Sequence, residues 1–309
     1  WMRCADNIRR IRDFFRDGIW DINTSDLGRV KAKVVRYIRI VILTAKNFSR
    51  QNVGQQAVAL SFFTTMAFVP FLAVAFAISN YAGLGEYLRE LIYDNFGHDM
   101  IVDQILSFAD NIIAASQQDF YGIISSLIFL WMVIWLLSRV EWSFNRIWKV
   151  DRNRILWKRV LAYILTMTAS PFIIIVFLSV SLTITDGINT LGLEIPFLST
   201  FSTFLIWLAF YVFMVIVLGV MYVLIPNARV RLLPALSAAA ISSLAFTIVQ
   251  YLYLETQMFV SRMNAVYGVF AAIPLFMVWL NIGWFIVLLG SELSYVFQNV
   301  DNYPLEDMS

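Results

Sequence analysis

The sequence predicts an all-helical polytopic membrane protein with six transmembrane helices and both termini in the cytoplasm, and three observations lead to that fold class. Six charge-free runs, at about residues 57–79, 121–138, 160–185, 199–225, 232–254 and 266–288, each reach the roughly 17–25 apolar residues that cross a hydrocarbon core. The composition agrees: 60% hydrophobic residues, 14% charged and a mean hydropathy of +0.72 leave too little polar surface to solvate a globule of 309 residues. Basic residues then set the orientation. Of the 23 Lys and Arg, 21 fall in segments 1–50, 139–159 and 226–231, against 2 in the connections on the other side.

Residues 1–50 form a basic head. Ile8, Ile11, Phe15, Ile19 and Ile22, then Val30, Val34, Ile38, Val41 and Ile42, recur at helical spacing among arginines and lysines, a pattern that suits helices lying in the headgroup layer rather than a nucleic-acid surface. Arg3, Arg9, Arg10 and Arg12 are not followed by an apolar h-region, so no cleaved secretory signal is expected. One cysteine, Cys4, and one histidine, His98, exclude a disulfide framework and a Cys/His metal centre.

The transmembrane domain is expected over 51–295. Its first span carries Ser61, Thr64, Thr65 and Pro70. The external connection 80–119 is long and acidic; Leu84, Leu88, Leu91 and Ile92, then Ile101, Ile105, Phe108 and Ile112, predict two amphipathic helices capping the bundle. Asp94, His98 and Asp99 within it read better as a solvated acidic face than as metal ligands. Arg139 and Glu141 end the second span, and Pro171 lies inside the third. In the fifth, Ala235, Ala238, Ala239, Ser242 and Ser243 make a small-residue surface that lets backbones approach in lipid, so this helix is expected at the centre. The sixth runs from Asn264, Tyr267 and Gly268 through Pro274, Trp279 and Asn281 to Gly290 and Glu292, with Gly283 and Gly290 two turns apart. A short acidic tail, 296–309, follows.

Pro70, Pro171 and Pro274 remove backbone donors inside the first, third and sixth spans, which hydrocarbon tolerates only beside other helices, polar side chains or water. A cavity between those three kinked helices is the predicted substrate path, lined by Ser61, Thr64, Asn264, Tyr267, Gly268 and Asn281, with Thr64 and Thr65 meeting carbonyls that Pro70 frees. No core holds an ionisable residue, which disfavours an ion-coupled pump with a mid-depth carboxylate. Arg139, Glu141, Glu255, Arg262 and Glu292, at span ends, are candidate headgroup or gating charges, with Arg139 and Glu292 a candidate ion pair.

Gln56 to Phe63 leading to Val69-Pro70, the Asn145-to-Trp148 segment, Val266-Tyr267-Gly268, Ile273-Pro274, Trp279 and Leu289-Gly290-Ser291-Glu292-Leu293 together resemble the YihY/BrkB family of bacterial inner-membrane proteins. The resemblance covers nearly the whole chain. It implies a multi-pass protein of the bacterial cytoplasmic membrane with a part in envelope lipid homeostasis, passing a phospholipid or other lipid to periplasmic bridge proteins of the AsmA-like class. Members have carried the label ribonuclease BN; this chain lacks the His and carboxylate cluster a metal-dependent nuclease needs. The expectation is therefore a non-enzymatic lipid transporter without catalytic residues, metal or cofactor, with membrane lipids as its partners and no nucleic acid. A small-solute exporter and a non-transporting scaffold for envelope proteins are the alternatives.

Overall fold

Among the described residues of this computed structural model, 28–96, 120–150, 196–261 and 265–300 with isolated positions at 102–114 and 157–179, the chain forms seven continuous helices and no strand. They are α1 (Arg29–Arg50), α2 (Val53–Tyr81), α3 (Gly85–Phe96), α4 (Phe120–Ile147), α5 (Pro196–Leu224), α6 (Leu232–Ser261) and α7 (Ala265–Asn299). Within them Trp207–Leu224, Leu232–Thr256 and Pro274–Asn299 are long and apolar enough to cross a membrane. α2 and α4, of 29 and 28 residues, are of comparable length, and Tyr163–Val176 is a shorter apolar helical stretch.

α7 is the axis. It packs against α6, α2, α1, α4 and α5, while α6 lies between α5 and α7. The small-residue surface of α6 behaves as its spacing predicts: Ala235, Ala238, Ala239 and Ser243 are fully buried and Ser242 nearly so. Gly219 of α5 and Gly290 of α7 close on that surface, where dispersion contact replaces the hydrophobic drive that lipid does not supply. Phe144, Ile147, Tyr222, Leu60 and Leu288 complete the core. Large apolar side chains such as Phe62, Met66, Trp131, Ile216 and Ile248 point outward, the distribution expected of helices solvated by acyl chains.

Two helices end in the same way with different residues. At the end of α2 the Gly83 N–H bonds Asn80 O, the Leu84 N–H bonds Ser79 O, and Gly83 takes φ +74°. This is the usual glycine-terminated stop. At the end of α4 the Lys149 N–H bonds Arg146 O and the Val150 N–H bonds Asn145 O, but the left-handed position, φ 51°, is filled by lysine. A side chain there costs about 1 kcal/mol that glycine would not. Asn52, at φ 53°, separates α1 from α2 more cheaply, since asparagine visits this region readily.

α3 confirms the first of the two helices expected in the acidic connection. Its Leu88 and Leu91 pack with Phe76 and Leu106, Arg89 pairs with Asp110 at 2.7 Å, and the Tyr93 hydroxyl donates to Asp103 at 3.0 Å. Ile101, Ile105, Phe108 and Ile112, with His98 and Asp99, lie outside the described residues, as do Ile8 to Ile22. In α1 the packed face is Ile40, Leu43, Thr44 and Asn47, the first two against Val296 and Val300 of the α7 end; Val30, Val34 and Val41 are exposed. Of the expected apolar stripe, Val30, Val34 and Val41 thus face outward while Ile38 and Ile42 are half-buried, and a partly polar face turns in. α7 continues past residue 295, so the start of the expected tail is helical and Val296 is buried.

Candidate functional site

The three prolines sit in unlike surroundings among the described residues, and most of the third span, which the expected cavity would need, lies outside them. Pro70 is buried within α2, Pro171 is buried in the Tyr163–Val176 stretch, and Pro274 is exposed on α7. Thr64 and Thr65 bond Leu60 O and Ser61 O, their own carbonyls one turn back, instead of the Met66 carbonyl that Pro70 releases. Ser61 likewise turns its hydroxyl to Val58 O. The remaining polar groups at this level tie helices together: the Trp284 indole donates to Thr64 Oγ1 at 2.9 Å and the Trp279 indole to Gln250 at 3.0 Å. Asn281 is half-buried. Tyr267 and Gly268 fall in the first turn of α7, and Asn264 and Arg262 lie outside the described residues.

Two cavities open where the end of α1, the start of α2 and the end of α4 converge, and neither is lined by a proline. The first, about 240 Å³, lies between α2 and α4. Its wall runs from apolar Ala59, Leu60, Phe63 and Trp142 to polar Gln55, Gln56, Asn52 and Ser143 and to two guanidinium groups, Arg139 and Arg146. The Arg139 guanidinium sits over the rings of Phe63 and Trp135 at 5.5 and 5.7 Å, and Arg146 over Trp142 at 5.2 Å. Both cations are thus held by aromatic faces and keep their N–H edges for other acceptors. Gln56 is buried and donates to Gln51 O, leaving its Oε1 without a hydrogen-bond partner among the described residues.

The second cavity, about 280 Å³, is lined by Asn47, Arg50, Gln51, Arg146 and Lys149. Under it lies Glu292, which is fully buried. The Gln51 amide reaches Glu292 Oε2 at a long 3.5 Å, Asn47 and the Lys149 ammonium are its other polar neighbours, and Oε1 has no hydrogen-bond partner. One expectation is corrected here: Glu292 is not paired with Arg139, whose guanidinium is turned toward Phe63 and Trp135. α7 continues beyond Glu292 and α1 folds across it, so the carboxylate is covered by protein. Glu141 is also buried and accepts from the Tyr163 hydroxyl, joining α4 to the Tyr163–Val176 stretch. Glu255 stays exposed, next to Tyr251.

Sequence reasoning missed Asn47, Gln51 and Lys149, which belong to no motif, and the latches around the α5–α6 connection. There Asn145 Oδ1 accepts from the Asn227 N–H at 2.7 Å, while Gln298 accepts from the Arg231 N–H and donates to Arg229 O.

The family described as "Virulence factor BrkB" matches residues 44–308. Relatives include the UPF0761 membrane protein of Chromohalobacter salexigens, 30% identical over 275 residues, spanning 84% of this chain and 63% of that protein. UPF0761 membrane protein ACIAD3168 of Acinetobacter baylyi is 26% identical over 264 residues, spanning 84% and 62%. The UPF0761 membrane protein of Actinobacillus pleuropneumoniae is 26% identical over 261 residues, spanning 82% and 91%. The chain thus covers only about three fifths of the length of the first two of these relatives. No solved structure matches.

Proposed function

Because the chain belongs to the BrkB family of membrane proteins, we propose that it is a six-span protein of the bacterial cytoplasmic membrane, with both termini inside, that passes a phospholipid or another lipid onward without acting as an enzyme. The observation that carries this reading is the cavity between α2 and α4, whose wall changes from Leu60, Phe63 and Trp142 to Arg139 and Arg146 within one small volume. An amphipathic passenger suits that gradient: acyl chain on the aromatic side, anionic headgroup on the guanidinium side. The neighbouring Phe62, Met66 and Trp131 are exposed, so the cavity lies beside a surface that lipid would wet. A periplasmic bridge protein of the AsmA-like class would be the receiving partner.

The test is transfer of labelled phosphatidylglycerol between vesicles containing the purified protein and acceptor vesicles. The expected result is faster movement than in protein-free controls, reduced about tenfold by Arg139→Ala, since loss of one charge-assisted hydrogen bond is worth roughly 1.5–3 kcal/mol. Transfer no faster than in the controls, with and without a candidate bridge protein, would overturn it.

A further inference from the structure

We propose that the second cavity is a binding site for a phosphate-class anion, and that Glu292 is its built-in competitor. Three cations from two helix ends, Arg50, Arg146 and Lys149, line it together with the side-chain amides of Asn47 and Gln51. All of them donate hydrogen bonds, which is the chemistry a phosphoryl group accepts.

A simpler cause accounts for part of this. Arg50 and Arg146 occupy the last turns of their helices, where the macrodipole favours cations. Lys149 is different. It stands just beyond its helix in a left-handed conformation that the same kind of helix ending, at α2, gives to Gly83. Placing a lysine there costs stability, and it delivers an ammonium group to the cavity wall.

The second observation is Glu292. A fully buried carboxylate is held with one oxygen at 3.5 Å from its donor and the other without any. Its polar neighbours among the described residues, Asn47, Gln51 and Lys149, are three of the five residues that line the cavity above it. An anion entering the cavity therefore draws on the same ammonium and the same amides, and the carboxylate and the ligand exclude one another in proportion. The inference does not need lipid movement: transfer can fail while this site stands, and the reverse.

The experiment is titration of inorganic phosphate into the full chain in phosphatidylcholine nanodiscs, followed by calorimetry, with thermal unfolding measured in parallel. Saturable binding is expected. Lys149→Gly should weaken it about tenfold, the loss of one charge-assisted contact; the parallel unfolding measurement identifies the folded variant, in which relief of the left-handed strain is set against loss of the ammonium beside Glu292 and over the Tyr295 ring. Glu292→Gln should tighten binding about tenfold. If that variant does not accumulate, Gln51→Glu reads the same competition in the opposite sense, by adding a second carboxylate to the wall. Discs containing phosphatidic acid distinguish the source: a lowered apparent phosphate affinity identifies a lipid headgroup as occupant, and an unchanged one identifies soluble phosphate. Binding by Lys149→Gly equal to wild type, Glu292→Gln binding no tighter, or no saturable binding would each overturn the proposal.

Discussion

Gly290→Ala concentrates the packing logic of the bundle in one methyl group. A Cβ at this position would run into Ser242 Oγ on α6 and the Tyr222 hydroxyl on α5, with Tyr222 Cζ at 2.8 Å. Serine can rotate away. Tyr222 cannot, because its side chain is fully buried against Phe144 and its ring lies within the main core. Overpacking of this kind costs about 1–3 kcal/mol, and with a rigid tyrosine in the way the upper half of that range applies; the better helix propensity of alanine returns about 1 kcal/mol, so the net loss expected is about 1–2 kcal/mol from a gross cost of about 2–3 kcal/mol. Unfolding in detergent, followed by tryptophan fluorescence, should show a lower midpoint for Gly290→Ala. Tyr222→Phe removes the obstructing oxygen and should recover part of that loss in the double variant, whereas Gly283→Ala, whose Cβ meets only the Phe246 ring edge at 3.2 Å, should cost less. If Gly290→Ala matches wild type, or Tyr222→Phe fails to restore any of the loss, α5, α6 and α7 do not close on one another at this point.

Two further outcomes are expected. Asn145→Ala removes the acceptor of the half-buried Asn227 N–H and should destabilise the protein by about 1 kcal/mol in the same unfolding assay, with Asn145→Asp retaining the acceptor and losing less. In the acidic connection, donation to Asp103 pushes the Tyr93 phenol above its ordinary 10.0; because the folded value is the higher one, its stabilising effect is complete below about pH 10 and is lost as pH rises through the raised value. A difference titration of tyrosinate absorbance between wild type and Tyr93→Phe should place this group later than an unperturbed tyrosine.

What was legible in the sequence was what repeats along one helix. The alanines and serines of α6 recur at helical spacing, so their burial follows from local pattern, whereas the central place expected of α6 falls to α7, whose five helix partners no pattern along one helix announces. The neighbours of Glu292 were not legible, because its burial depends on Asn47 and Gln51, more than two hundred residues earlier, folding back across it. Lys149 gave no signal, since lysine is not a residue that announces a left-handed turn. The prolines are silent on another point: a proline reports a missing donor, but whether the neighbouring side chains fill the bend or leave it open is a property of the assembled bundle.

That distinction decides where chemistry can occur. Around Pro70 the hydroxyls of Ser61, Thr64 and Thr65 are spent on their own helix and two indoles bind helix to helix. By contrast, most of the buried side-chain polar atoms without a hydrogen-bond partner among the described residues, including Gln51 Oε1, Gln56 Oε1, Glu292 Oε1 and the Ser291 and Ser294 hydroxyls, lie at the end of the bundle that holds the two cavities, while those of Ser79, Arg89, Tyr222 and Ser243 lie elsewhere. Buried polar atoms left in this state cost about 1–3 kcal/mol each, so their gathering beside two cation-lined cavities marks this end as the adaptable one. Pro70→Ala separates the alternatives. It supplies a backbone N–H opposite the Met66 carbonyl and touches neither cavity, so lipid transfer should stay within about twofold of wild type, while Arg139→Ala lowers it about tenfold. The reverse ranking, with Pro70→Ala impaired and Arg139→Ala intact, would return the route to the bent middle of the bundle.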